Sequence, residues 1–371
     1  MSTDLPVPET RVLAVASHVV SGYVGNKIAV FTMQSLGCDV AALNTVQFSN
    51  HTGYRQVKGT KVSAQEITDL YDGLKQSYLD DFDMMLSGYI PGAEAVQAVG
   101  RIAAELKEKA SARNAPGSFF WVLDPVMGDN GKLYVAQDVV PAYKSLLPHA
   151  DLILPNQFEA ELLSDVKITD MASLTRAIEV IHDTYRVPHI VLTSVSVDTA
   201  TPSSTPPPLN SSTSHKDSDA KTPATLSVIG STMTSHRRPR AFKIRFPAID
   251  AYFSGTGDMF GALMVVRMRE AVTSAAKSLG ETESWLSPDD VDAIDLPLAK
   301  AAEKVLASMH EVLDATCSSM QVEVEKIETQ FGGSKDDTRM HLARSKAAEL
   351  KLVRHLGSLR DPNVEFKAQR M

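Results

Sequence analysis

Residues 253–264 read Phe-Ser-Gly-Thr-Gly-Asp-Met-Phe-Gly-Ala-Leu-Met, so two glycines flank a threonine, an aspartate follows, and an apolar, helix-forming run begins at once. Glycine lacks a Cβ and lets the backbone turn tightly and come close to a ligand. A helix starting near Gly257 leaves its first N–H groups unpaired and directed at the turn, and that end of a helix attracts anions such as a phosphate. Asp258 conflicts with this arrangement, because a carboxylate repels an anion. The conflict resolves if Asp258 faces a substrate hydroxyl while the N–H groups of Gly255, Thr256 and Gly257 face a transferring phosphoryl group. With an ordinary pKa near ~3.9, Asp258 is ionised at neutral pH and can take the proton of a hydroxyl attacking phosphorus. The simpler alternative is a capped helix after a glycine turn.

Other polar clusters each follow an expected strand. Ser17 and His18 follow the apolar run 11–16, and Ser21, Gly22, Gly25 and Asn26 come next. The spacing of Gly22 and Gly25 does not fit the dinucleotide-binding pattern of glycines. After a second strand, 40–46, comes Gln-Phe-Ser-Asn-His-Thr-Gly-Tyr over residues 47–54, a poor core segment that reads either as a site loop or as a solvated turn. Ser87-Gly88-Tyr89 closes a strand at 83–86. Strand 119–123 runs into Asp124-Pro-Val-Met-Gly-Asp129. Those aspartates suit a hard Mg²⁺, which takes one or two carboxylates with phosphate oxygens and water, or they are turn formers. Strand 151–154 ends in Pro155-Asn156-Gln157-Phe158-Glu159. Glu159 and Glu161 either suit a helix N-terminus, or Asn156 and Glu159 hold a hydrated cation. Thr193 and Ser194 end one more strand.

Strands and helices alternate from residue 11 to residue 317, which predicts an α/β fold: a doubly wound, largely parallel central sheet flanked by helices. In such a sheet the strand C-terminal ends share one edge, so the clusters above and Asp258 are expected to converge. Random capping does not produce that convergence. Residues 1–10 read as a flexible N-terminus and 11–371 as a single domain. Two departures interrupt it: a low-complexity insertion at 197–225, rich in Ser, Thr, Pro and Asp, and a polar surface excursion at 273–297. Strands are expected at 226–230 and 241–246, with Arg237, Arg238 and Arg240 between them as a solvated hairpin tip or a flap over phosphates. Helix is expected at 298–317 and 347–356, less regular structure at 318–338, and a terminal strand at 364–368.

The 371 residues are 43% hydrophobic and 22% charged, with a formal net charge of −8. No basic block dominates, which argues against nucleic acid as a partner. Two cysteines, Cys38 and Cys317, without metal-ligand spacing favour a reducing compartment. The start is polar and acidic, unlike a signal peptide, and no apolar run reaches membrane-spanning length. The expectation is a cytosolic protein. Neither the P-loop nor the protein-kinase motifs occur, so a phosphotransferase of another type is implied.

Taken as an ordered set, residues 17–26, 46–54, 87–89, 124–129, 155–163, 193–194 and 255–258 resemble the pyridoxal kinases of the ribokinase-like superfamily. The resemblance covers 11–196 and 226–317, and more weakly 345–371; the segment 318–344 has no counterpart. It implies ATP-dependent phosphorylation of the 5′-hydroxymethyl group of pyridoxal, pyridoxine or pyridoxamine, Mg²⁺ and a monovalent cation, usually K⁺, as cofactors, and a cytosolic homodimer. By position, Asp258 is the implied base, with Gly255, Thr256 and Gly257 as the anion hole. Ser17, Val46, His51, Thr52 and Tyr89 are the implied vitamer contacts. Asp124, Asp129, Asn156 and Glu159 are the implied metal and phosphate group, directly or through water. Tyr134, Thr193 and Ser194 are the implied nucleotide contacts. Two rivals remain: a kinase for a hydroxymethylpyrimidine on the same fold, and a non-catalytic carrier of pyridoxal phosphate. The carrier is disfavoured by the intact Asp258 and glycines.

Overall fold

The computed structural model describes residues 5–195, 225–330 and 337–371. The insertion expected at 197–225 lies outside the described residues apart from Thr225. In chain order the strands are β1 (Arg11–Val19), β2 (Asp39–Phe48), β3 (Gly59–Lys61), β4 (Met84–Ser87), β5 (Phe120–Leu123), β6 (Gly128–Asp129), β7 (Lys132–Leu133), β8 (Leu152–Ile153), β9 (His189–Val195), β10 (Thr225–Met233), β11 (Pro239–Pro247) and β12 (Gln369–Arg370). The helices are α1 (Asn26–Ser35), α2 (Ala64–Gln76), α3 (Ala93–Ala112), α4 (Val139–Leu146), α5 (Gln157–Ser164), α6 (Met171–Tyr185), α7 (Thr256–Ala275), α8 (Pro297–Gln330), α9 (Asp337–Ala347) and α10 (Leu356–Arg360).

All strands but β6 and β7 form one sheet in the order β12-β11-β10-β9-β8-β5-β4-β1-β2-β3. The centre, from β2 through β1, β4, β5 and β8 to β9, is parallel. Both edges are antiparallel. Alternation along the strands sets the layers, since successive side chains point to opposite faces. Val12, Ala14, Met84, Leu86, Phe120 and Val122 pack with α1, α7 and α8 on one face. Leu13, Val15, Met85, Trp121 and Leu123 pack with α2 to α6 on the other. The chain places β2 on one side of β1 and β4 on the other. Strand order therefore reverses at β1 and opens a crevice at the carboxyl ends of β1 and β4, where sheets of this kind bind ligands.

Several expectations need correcting. Residues 5–10 are not a free arm: Val7 is buried, and the Thr10 carbonyl accepts the Asp39 N–H at 2.9 Å. Burial of Val7 and Thr10 seats the segment. The excursion at 273–297 is polar in composition but not merely surface. Trp285 and Leu296 are fully buried. The Trp285 ring stacks on Phe120 at 4.0 Å, and its Nε1 donates to the Gly117 carbonyl at 2.8 Å. Ser284 Oγ donates to Asp151 at 2.6 Å, and His189 Nε2 donates to the Ser284 carbonyl at 2.8 Å. Sparse anchors in a polar run are invisible to average composition. Helix α8 continues to Gln330 because neither Gly nor Pro interrupts residues 298–330. Helix α9 ends where the 347–356 helix was expected to begin, and the last strand falls at Gln369–Arg370 on β11, not at 364–368.

The hairpin expected around the three arginines does form, between β10 and β11. Arg240 is committed to structure there: its guanidinium donates to the carbonyls of Pro288, Val291 and Ser287 at 2.6, 3.2 and 3.0 Å. Among the described residues no helix is long and apolar enough to cross a membrane.

The packing of residue 285 yields a direct test. Trp285→Ala removes a buried aromatic stack and should destabilise the protein by ~3–5 kcal/mol, read from urea unfolding. A loss near zero would show that 273–297 is only a surface decoration.

Candidate active site

Gly255 caps α7 with φ of 84°, a left-handed conformation that glycine adopts without cost. A Cβ there would lie 2.2 Å from the Tyr23 carbonyl, so the turn before α7 is pressed against the turn after β1. Gly25 repeats the device: φ is 54°, and a Cβ would meet the Ser17 carbonyl at 2.0 Å. Its N–H donates to the Asp258 carboxylate in the first turn of α7. Two glycine turns far apart in sequence thus interlock at the crevice. A Cβ on Gly88, just past β4, would lie 3.3 Å from Ala16 Cβ and 3.7 Å from Asp258 Oδ1, which puts Asp258 between the ends of β1 and β4.

Asp124 enters from the other side. Its N–H donates to the Ser87 carbonyl at 2.8 Å, holding it at the end of β5. A Cβ on Gly257 would lie 3.9 Å from Asp124 Oδ2, so this carboxylate faces the start of α7. Burial pushes the Asp124 carboxyl well above its ordinary value, and the neighbouring carboxylates of Glu159 and Asp258 push it further. Burial also raises Asp258, to about 6, against the Gly25 hydrogen bond that lowers it.

Glu159 forms a capping box with Asn156 at the start of α5. Asn156 Oδ1 accepts the Glu159 N–H at 2.9 Å, and Glu159 Oε2 accepts the Asn156 N–H at 2.9 Å. Oε1 accepts the N–H groups of Met127 at 2.8 Å and Gly128 at 3.3 Å, while Asn156 Nδ2 donates to the Gly128 carbonyl at 2.7 Å. The pair therefore shapes the loop that follows Asp124. Burial raises Glu159 to about 7 even so, with main-chain hydrogen bonds opposing and Asp129 adding to the rise. The ordinary helix-start role anticipated for Glu159 is present, and both its oxygens are engaged with main chain.

The remaining candidates are spread around this centre. Ser17 is half-buried on β1 against Gly25. Val46 is fully buried on β2, and Tyr89 is half-buried, its carbonyl accepting from Thr45 Oγ1 at 2.7 Å. His51 is half-buried with its ring 4.6 Å from that of Tyr54, and Thr52 is exposed. A Cβ on Gly53 would reach Ser254 Oγ at 3.5 Å, so the 51–54 turn borders the start of α7. Asp129 is exposed and accepts from the Asn130 N–H at 2.7 Å. Tyr134 is largely exposed, its N–H bonded to the Met127 carbonyl at 2.8 Å. Thr193 and Ser194 lie in β9, at the border of the undescribed 196–224 segment.

Sequence reasoning gave no individual role to Thr45 or Asn26. Asn26 is buried and donates to the Leu43 carbonyl at 2.9 Å and to Asn44 Oδ1 at 2.9 Å, tying the start of α1 to β2. Its place directly after Gly25 was the available signal. Among the described residues no cluster of three or more His, Cys, Asp or Glu forms a ready metal cage. A cavity of about 710 Å³ borders Met233, Ala275, Leu279 and Pro288, at the far end of α7, and includes none of these candidates.

A carboxylate beside a main-chain anion cradle, on a doubly wound sheet with no P-loop lysine, defines a small-molecule kinase of the ribokinase-like class. The profile described as phosphomethylpyrimidine kinase matches residues 30–227. The chain is 32% identical to a pyridoxal kinase of Arabidopsis thaliana, over 100% of this chain and 97% of that one. It is 31% identical to a pyridoxal kinase of Homo sapiens, over 97% and 98%. The structure of a pyridoxal kinase from Leishmania donovani in complex with ADP and pyridoxamine superposes with a TM-score of 0.73 at 28% identity, covering 98% of this chain and 100% of that one. The chain belongs to the pyridoxal kinase family.

Burial of Asp258 predicts an acid limb in kcat/KM, which reports the free enzyme. The raised carboxyl binds a proton as pH falls through about 6. Activity should then drop on the acid side of that value, whereas an unperturbed aspartate would hold it level down to ~4. A flat profile from pH 7 to pH 5 would contradict the raised value.

Proposed function

We propose that this chain is an ATP-dependent pyridoxal kinase that transfers the γ-phosphoryl group of ATP to the 5′-hydroxymethyl oxygen of pyridoxal, pyridoxine or pyridoxamine. The observation that carries the reading is Asp258, in the first turn of α7, hydrogen-bonded by Gly25 at the β1–β4 crevice. Asp258 takes the hydroxyl proton as the oxygen attacks phosphorus. The N–H groups of Gly255, Thr256 and Gly257 meet the charge that develops on the phosphoryl oxygens. Ser17, Val46, His51, Thr52 and Tyr89 form the vitamer wall, and Tyr134, Thr193 and Ser194 the nucleotide side.

The carboxylates of Glu159 and Asp258 acting on Asp124 suit a divalent cation between the carboxylates and the phosphates. Asp124 would hold Mg²⁺, with Asp129 and Glu159 acting through water; the ion supplies charge neutralisation for the phosphates. K⁺ as a monovalent activator, a homodimeric assembly and a cytoplasmic location belong to the same proposal. Residues 11–371 are taken as one kinase domain, a reading supported by β1 and β12 sharing one sheet.

A second reading has a specific observation behind it, namely the phosphomethylpyrimidine kinase profile. Purified protein with ATP and Mg²⁺, assayed side by side on the three vitamers and on a hydroxymethylpyrimidine, separates the two. Robust turnover of the pyrimidine with none of the vitamers would favour the second. Asp258→Ala should lower kcat by at least ~10²-fold and leave nucleotide affinity within ~2-fold, as expected for loss of a general base. Near-normal turnover in that variant would remove Asp258 from the mechanism.

A further inference from the structure

The segment that follows α9 meets the substrate side of the crevice from a distant part of the chain. Glu349 Oε2 accepts the Tyr23 N–H at 3.1 Å, Oε1 accepts the Tyr54 hydroxyl at 3.0 Å, and His51 Nε2 lies 3.3 Å from the same oxygen. One residue thus ties together the turn after β1 and the 51–54 turn. A Cβ on Gly22 would fall 2.7 Å from Glu349 Oε1, so the first turn is shaped to receive the carboxylate. Within α9, His341 Nε2 donates to the Gly53 carbonyl at 2.9 Å. Glu349 is itself held firmly: Ala347, Leu350 and Leu352 are buried, and the Lys351 N–H donates to Thr316 Oγ1 on α8 at 3.1 Å.

Both turns border the catalytic machinery. The carbonyl of Tyr23, whose N–H is held by Glu349, is the group pressed against Gly255. Two residues on, the Gly25 N–H holds Asp258. We infer that Glu349 is a positioning residue: it latches the Tyr23 turn and the His51–Tyr54 turn together and so sets the vitamer wall and the aim of Asp258, without touching the nucleotide side. Burial pushes the Glu349 carboxyl up, but hydrogen bonds from His51, Tyr23 and Tyr54 outweigh it and leave the group below its ordinary value, as expected of an ionised latch. Its Nε2–H directed at Glu349 leaves His51 Nδ1 as an acceptor, and that atom is buried without a protein partner.

The inference rests on the kinase reading for its kinetic arm but not for its second arm. In the first, Glu349→Ala and Glu349→Gln are compared with the unaltered enzyme on pyridoxal and ATP. Glu349→Ala should raise the KM for pyridoxal and lower kcat, reducing kcat/KM at least ~10-fold, since misplacing a reacting group by about 1 Å can cost ~10²-fold. The KM for ATP should stay within ~2-fold. Glu349→Gln keeps an acceptor for the Tyr23 N–H and should recover part of the loss. In the second arm, hydrogen exchange without substrate should quicken at residues 20–25 and 49–58 in Glu349→Ala while residues 124–129 keep their protection. If the unaltered enzyme phosphorylates no vitamer, the kinase reading fails and the exchange arm still decides the latch. Unchanged exchange at both turns, or equal losses for ATP and pyridoxal with a matching fall in Tm, would overturn the inference.

Discussion

The first turn of α7 holds a carboxylate and a row of unpaired N–H groups side by side, and the two make opposite demands. The N–H groups and helix dipole favour an anion in front of them, whereas an ionised Asp258 repels one. The fold meets both demands by geometry. Gly255 turns the chain so that Asp258 accepts from the Gly25 N–H on the neighbouring turn, and Gly25 has no side chain to block that approach. The aspartate is thereby aimed across the crevice at the β1–β4 side, while the cradle faces the Asp124 side. Burial raises its carboxyl to about 6.

Around this point the molecule gathers negative charge. Burial raises Asp124, Glu159 and Asp258; Glu159 and Asp258 add to the rise at Asp124, and Asp129 adds to that at Glu159. The cost is partly met by main chain, with Glu159 alone accepting three N–H groups. The capping box that starts α5 is therefore also the clamp on the loop after β5, so a helix-terminus device common in proteins serves here to fix a ligand-side loop. The residual repulsion is what an entering cation would relieve.

The scaffold that carries these groups is closed from segments that look peripheral. Trp285 plugs one end of the sheet from inside a polar stretch, stacked on Phe120 and capped by Arg269 at 5.4 Å from its ring. Arg267, buried on α7, donates to the Leu359 carbonyl at 2.6 Å and so ties that helix to the C-terminal segment. The same segment supplies Glu349 to the substrate-side turns. Residues 349–359 thus brace both α7 and the turns beside its start.

Much of this was legible in the linear order of residues. Unbroken apolar runs such as Val12 to Val15 report strands buried on both faces, and polar residues after each run report the strand ends, because strand composition and turn chemistry are local properties. Asp124 and Asn156 were singled out that way, and Asp258 from the glycine-flanked helix start. What stayed hidden depends on distance along the chain. Nothing local in Glu349 announces that it meets Tyr23, Tyr54 and His51, and nothing in a run as polar as 277–295 announces the burial of Trp285. Residue types and their spacing determined the fold class and the acidic, glycine-flanked centre. Which carboxylate is free to act, which is tied up in main-chain hydrogen bonds, and which remote side chain holds the loops was decided only when the chain closed, because those roles follow from burial and contact between segments far apart in sequence.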